Sequence, residues 1–155
     1  MSYGDITNFS VIYAQFMSLV DDYRLLALYQ SSVTDYETYL GAWLKLAIVD
    51  FTPYCTQDLT QIDWIAKRFN LVLTDENTAM LSFIMQKYWM RKETQNSLQM
   101  KNVVQDKDFT RHSESQNLTA KMAELESIQE DVSQRLMDYK VAHYDWTAFA
   151  AALMA

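Results

Sequence analysis

The chain has 155 residues, 20 acidic against 13 basic side chains, a net charge of −7, and half its residues are apolar or aromatic. That length can bury a single core, and the acidic balance excludes a protein that coats nucleic acid over its whole surface, since such affinity comes from neutralising phosphates. Two Gly and one Pro are too few for the turns of an all-β domain, so an all-α fold is expected.

The first predicted helix is "NFSVIYAQFMSLVDD", with Asn8 as its cap and Phe9, Ile12, Tyr13, Phe16 and Leu19/Val20 as one apolar stripe. It should stop at Asp21-Asp22, because acids are disfavoured at the negative end of a helix. "YRLLALYQSS" reads equally as a short helix or an extended connector. Thr34-Asp35-Tyr36-Glu37 has the form of a capping box. It predicts a helix from Asp35 to Asp50, with Tyr36, Tyr39/Leu40, Trp43/Leu44 and Ala47/Ile48 facing inward and Pro53 closing it. "TQDLTQIDWIAKRFN" reads as a short helix or a pair of turns anchored by Leu59, Ile62, Ile65 and Phe69.

Thr74 should cap the next helix, with Asp75 and Glu76 complementing its dipole. That helix, to Lys92, is apolar nearly all round and is expected to be the central core element. A polar break at "KETQNS" should separate it from a short helix over 97–104. A last helix should start near Ser113 or Ser115 and run to Lys140. Its stripe is Leu118, Met122, Leu125, Ile128, Val132, Leu136 and Tyr139, and at about 1.5 Å per residue it is close to 40 Å long. The expected architecture is a compact helical bundle over 1–140 with one long C-terminal helix, then an extended apolar arm over 141–155.

Signatures of chemistry are absent. The isolated Gly4 and Gly41 build no P-loop, dinucleotide fingerprint or nucleophile elbow. Cys55 stands alone, which excludes an internal disulfide and fits a reducing compartment. Asp108 and His112 make only one pair of metal-type ligands where zinc wants three or four. Asp21-Asp22 and Asp75-Glu76 are explained by helix ends without acid–base work. No Glu-x-x-His pair supports a di-iron bundle. No catalytic, cofactor or metal residue is therefore assigned, and the chain is read as not an enzyme. No apolar run reaches the roughly 20 residues that span a bilayer, and the N-terminus does not read as a signal peptide.

Charge is uneven along the chain. Residues 1–63 hold eight acids against two bases, and 114–138 hold six against two. Between them a basic waist carries Lys87, Arg91, Lys92, Lys101, Lys107 and Arg111, a candidate patch for contact with other copies or with DNA. Acidic ends and a basic waist suit stacking of like subunits, while any single charge among them reads first as an ordinary solvated face.

The blocks "YLGAWLKLAIVDFTPYCTQDL" (39–59), "FNLVLTDEN" (69–77) and "KDFTRHSESQNL" (107–118), with the charged helix ending "RLMDYK", resemble small head–tail connector (adaptor or neck) proteins of tailed bacteriophages. The resemblance implies a structural virion protein made in the host cytoplasm. It would form a ring of identical subunits, twelve to match the portal, with the portal and a downstream neck or tail protein as partners. DNA would cross its channel without sequence-specific binding, and no membrane is involved. A cytoplasmic, phage-encoded helical module that regulates a host protein or nucleic acid is the alternative.

The segment 141–155 lies outside that resemblance. Val141, Tyr144, Trp146, Phe149, Leu153 and Met154 are anchors of the kind that dominate interfaces, and left bare they invite aggregation. Folding back on the same domain is one reading. A membrane contact is another, though no Lys or Arg follows Lys140 to meet anionic lipid. Docking in a groove of another subunit is the preferred expectation.

Overall fold

A computed structural model describes residues 6–103 and 111–154 of the chain, with side chains undescribed at 100–103 and 111–115. The protein is mostly helical. Among the described residues, strand β1 (Thr7–Asn8) leads into α1 (Phe9–Leu19), α2 (Tyr23–Ser31) and α3 (Val33–Phe51). Then come β2 (Ile62–Asp63), β3 (Arg68–Phe69), α4 (Asp75–Val103), α5 (Arg111–Ala142) and α6 (Trp146–Met154).

Helix α4 is the axle. It packs against α1, α3 and α5, and Met80, Leu81, Ile84, Met85 and Met90 are buried along it. The stripe expected on α1 is buried through Phe9, Ile12, Tyr13 and Phe16, and that on α3 through Tyr36, Leu40, Leu44, Ala47 and Ile48, with Tyr39 and Trp43 half-buried and Phe51, past the expected helix end, buried as well. Helix α5 lies along α4 with Leu118, Val132 and Tyr139 buried, whereas Met122, expected on its stripe, is exposed. The Arg135 guanidinium sits 4.1 Å from the centre of the Phe83 ring, and Lys121 Nζ donates to Ser97 Oγ at 2.8 Å. These two contacts tie the middle of α5 to the middle of α4.

Several local expectations are corrected. Asn8 makes no side-chain cap bond to α1, because it is held in the sheet opposite Arg68. Asp22 does not merely end α1. Its carboxylate accepts from the Arg24 backbone N–H at 2.9 Å and so caps α2, which settles "YRLLALYQSS" as helix. The cap of α3 is Ser32, whose hydroxyl accepts from the Asp35 N–H at 3.2 Å, rather than Thr34. Glu37, the other half of the expected box, instead pairs with Lys67. No break occurs at "KETQNS". Thr94 Oγ1 donates to the Met90 carbonyl at 2.9 Å and Ser97 Oγ to that of Glu93 at 3.0 Å, so these hydroxyls are satisfied within the helix and need not end it. Glu93 is buried because Arg24 Nη2 meets its carboxylate at 2.5 Å.

Residues 56–69 depart furthest from expectation. No helix forms there; of the expected pair of turns, one lies at 59–60 and the other, at 64–67, joins an antiparallel hairpin over 62–69, to which β1 adds in the order β1-β3-β2. Phe69 pairs with both Thr7 and Ile62. The tip is shaped by Asp63, whose carboxylate accepts from the N–H groups of Ile65 and Ala66 at 3.1 and 2.9 Å, and by Lys67 at φ 54°. Leu59 and Phe69 are buried as expected, but Ile65 is 96% exposed at the tip. Thr74 does cap α4, its hydroxyl accepting from the Asn77 N–H at 3.2 Å.

Candidate docking surface

The end of α5 is pinned to the body by Tyr139, which is 3% exposed. Its ring stacks edge-on against Phe51 with centroids 5.1 Å apart, and its hydroxyl meets the Thr56 N–H at 3.1 Å and Thr56 Oγ1 at 2.9 Å. One turn later the His143 ring lies 4.3 Å from the Tyr139 ring, with Nε2 3.0 Å from Glu76 Oε2. Helix α5 ends at Ala142, and the chain bends there.

Asp145 starts the next element. One carboxylate oxygen accepts from the Thr147 hydroxyl and from the N–H groups of Thr147 and Ala148, both at 3.1 Å. This is N-cap geometry, and it explains why an uncharged nine-residue segment, 146–154, is helical. The Thr147 hydroxyl first, and then the Ala148 N–H, hold the Asp145 carboxyl below the usual carboxylate range. Where an extended arm is expected, the chain is a capped helix.

Helix α6 has no buried residue. Phe149 is 46% exposed, Trp146 57%, Leu153 73% and Met154 89%, and Val141 and Tyr144 are also exposed. Tyr144, Trp146 and Phe149 cluster, with neighbouring ring centroids 4.8 to 6.4 Å apart. With Met137, Lys140 and Val141 they line a shallow crook of about 400 Å³ between α5 and α6. All six tail residues singled out in the sequence thus fall on one exposed hook.

The basic waist is less uniform. Lys87 Nζ sits 2.5 Å from Asp50 Oδ2, and the Tyr88 hydroxyl donates to the same oxygen at 2.8 Å. Burial, reinforced by the Asp50 bond, pushes the Tyr88 phenol up to about 12. Lys92 Nζ lies 4.8 Å over the Tyr39 ring and 5.4 Å over that of Trp43. Arg91 is exposed. Lys107 and Asp108 lie outside the described residues, as do the side chains of Lys101, Arg111 and His112. Of the described lysines in the patch, both are engaged by their own chain.

A second apolar surface was not singled out in the sequence. A groove of about 420 Å³ opens where α1, α2 and the start of α3 meet, lined by Tyr13, Ala14, Met17, Leu26, Tyr29 and Val33 among others. Leu26, Tyr29 and Val33 are each about half exposed. Their spacing of three and four residues was a legible signal, obscured because 23–32 read equally as an extended connector. Glu37 at its edge is neutralised by Lys67.

Among the described residues no group of three or more His, Cys, Asp or Glu is placed to hold a metal ion, and no helix is long and apolar enough to cross a membrane. Burial pushes the Cys55 thiol up, away from the thiolate form that reacts. Comparison with protein-family models, curated proteins and solved structures found no match to this chain.

Proposed function

We propose that this protein is a structural subunit that assembles through its C-terminal helix, and that it serves as a head–tail connector of a tailed phage. In this reading α5 is a long strut, α6 is the docking arm, and copies form a ring below the portal around the DNA channel. One observation carries the assembly role: α6 is an apolar, capped helix with no buried residue on its own chain. Large exposed apolar surface of this kind marks an interaction site. The phage context rests on the resemblance of blocks 39–59, 69–77 and 107–118. The acidic balance also suits a conduit to which passing DNA does not adhere.

Removal of residues 145–155 tests the reading. The truncated chain is expected to stay folded, with an unchanged thermal melt, yet to be missing from purified virions in which the full-length chain is present at portal-like copy number. A truncated chain that unfolds, or that enters particles normally, overturns it. Recovery of the full-length chain from infected-cell lysate alone points instead to the helical regulator.

A further inference from the structure

The two apolar surfaces share no residue and belong to different elements. One is a projecting helix, α6; the other is the groove walled by α1, α2 and the start of α3. We propose that α6 of one copy docks in the α1/α2/α3 groove of the next copy, head to tail. This rests on the reading of α6 as an arm that docks in trans, and it names what receives the arm.

The helix itself argues for a groove as its receptor. Trp146, Phe149, Ala150 and Leu153 fall at positions i, i+3, i+4 and i+7 of α6, the spacing by which an amphipathic helix anchors in an apolar cleft. The charges agree as well. Residues 146–154 carry no ionisable side chain, and the one ionised group at the groove, Glu37, is already paired with Lys67. Docking therefore strands no charge. A receptor lined with acids or bases would lose its solvation to an uncharged helix without compensation.

Area bounds the strength of each contact. Tyr144, Trp146 and Phe149 are each about half exposed, and at around 200 Å² per aromatic side chain they offer roughly 300 Å² of ring surface. Val141, Leu153 and Met154 add to this, but the total stays below the roughly 800 Å² that each partner contributes to a standard interface. A single contact is thus modest. A head-to-tail contact repeats, however, since each copy gives one helix and accepts one, and such contacts close into rings when the rotation allows. Pairing of two α6 hooks across a two-fold axis is the competing arrangement, and it would leave the groove empty.

Two exposed substitutions separate these cases. Phe149→Asp disables the helix, and Ala14→Arg obstructs the groove, with both positions exposed in the folded chain. In sedimentation equilibrium of the full chain at several hundred micromolar, the wild type is expected to self-associate. Each variant alone should associate at least tenfold more weakly. An equimolar mixture of the two should form one-to-one pairs that grow no further, because one working helix faces one working groove. Self-association of Ala14→Arg equal to wild type overturns the inference, as does a wild type that remains monomeric. Particle incorporation keeps this separate from the connector reading. If Ala14→Arg enters virions normally and the chain lacking 145–155 does not, the connector survives and the groove assignment falls. Groove-dependent association of a chain never found in virions would do the reverse.

Discussion

Tyr139 and Phe149 are aromatic side chains ten residues apart, one 3% exposed and the other 46%, and their replacement by alanine should have opposite consequences. At Tyr139 the ring packs on Phe51 and the hydroxyl serves two atoms of Thr56. Removing a buried aromatic costs about 3–5 kcal/mol. Thr56 is exposed, so water can replace the lost hydrogen bonds and they add little. For a domain of this size each kcal/mol lowers the melting temperature by about 2–4 °C, so Tyr139→Ala should melt on the order of 10 °C below the wild type. The Phe149 ring packs on Tyr144 and Trp146 of the hook, and Phe149→Ala should stay within about 0.5 kcal/mol of wild type, a shift of no more than roughly 2 °C. Circular dichroism at 222 nm through thermal and urea unfolding reads both, at a concentration low enough to keep the chain monomeric. A loss for Phe149→Ala comparable to that for Tyr139→Ala would mean that α6 is folded against its own domain, and the argument for docking in trans would fail.

Two further perturbations have definite signs. The Asp145 carboxyl titrates below its ordinary range in the folded chain, so its contribution to α6 is present above the unfolded value of about 3.9 and is lost as pH falls through the folded one. Backbone chemical shifts of 146–154 should accordingly move from helical toward coil on acidification below pH 4. Asp145→Ala should show the same loss at neutral pH, while Asp145→Asn, which keeps a capping oxygen, should hold the helix at both pH values; a helix indifferent to all three would exclude Asp145 as its cap. Gly41 lies inside α3, and a Cβ there would meet only the Tyr13 hydroxyl, at an ordinary 3.4 Å. Gly41→Ala should therefore stabilise by about 0.5–1 kcal/mol, read as a higher urea midpoint; destabilisation would show that the α1–α3 contact has no room to spare.

What the sequence made legible follows from periodicity. On α1 and α3 the buried residues recur at three and four, so the inward face was readable, though spacing alone did not choose Leu40 over Tyr39 or Leu44 over Trp43 and did not extend to Phe51. The same signal misled at 59–69. Leu59, Ile62, Ile65 and Phe69 keep helical spacing, yet the segment is a hairpin and Ile65 points away from the core. Its turn uses an aspartate and a lysine at positive φ in place of the Asn-Gly or Asp-Gly that announces most tight hairpins. Polar content was equally deceptive on α4, where Glu93, Thr94 and Ser97 looked like a break but are satisfied by Arg24 and by carbonyls of the helix itself. The tail was legible as unburied greasy surface. Its helical form was not, because that depends on a single cap at Asp145, and the groove on α1–α3 stayed hidden until α2 was seen to be a helix.

The small sheet has a consequence for the newborn chain. Thr7 pairs with Phe69, and its hydroxyl accepts from the Leu73 N–H across a separation of 66 residues. At translation rates of about 5–20 residues per second, the partners that close over the apolar side of α1 arrive roughly 3–13 seconds after it is made. For that interval Phe9 lacks the Phe69 ring it packs on, and Phe16 waits longer still for Trp89 of α4, so the ribosome-bound chain carries the apolar side of α1 uncovered.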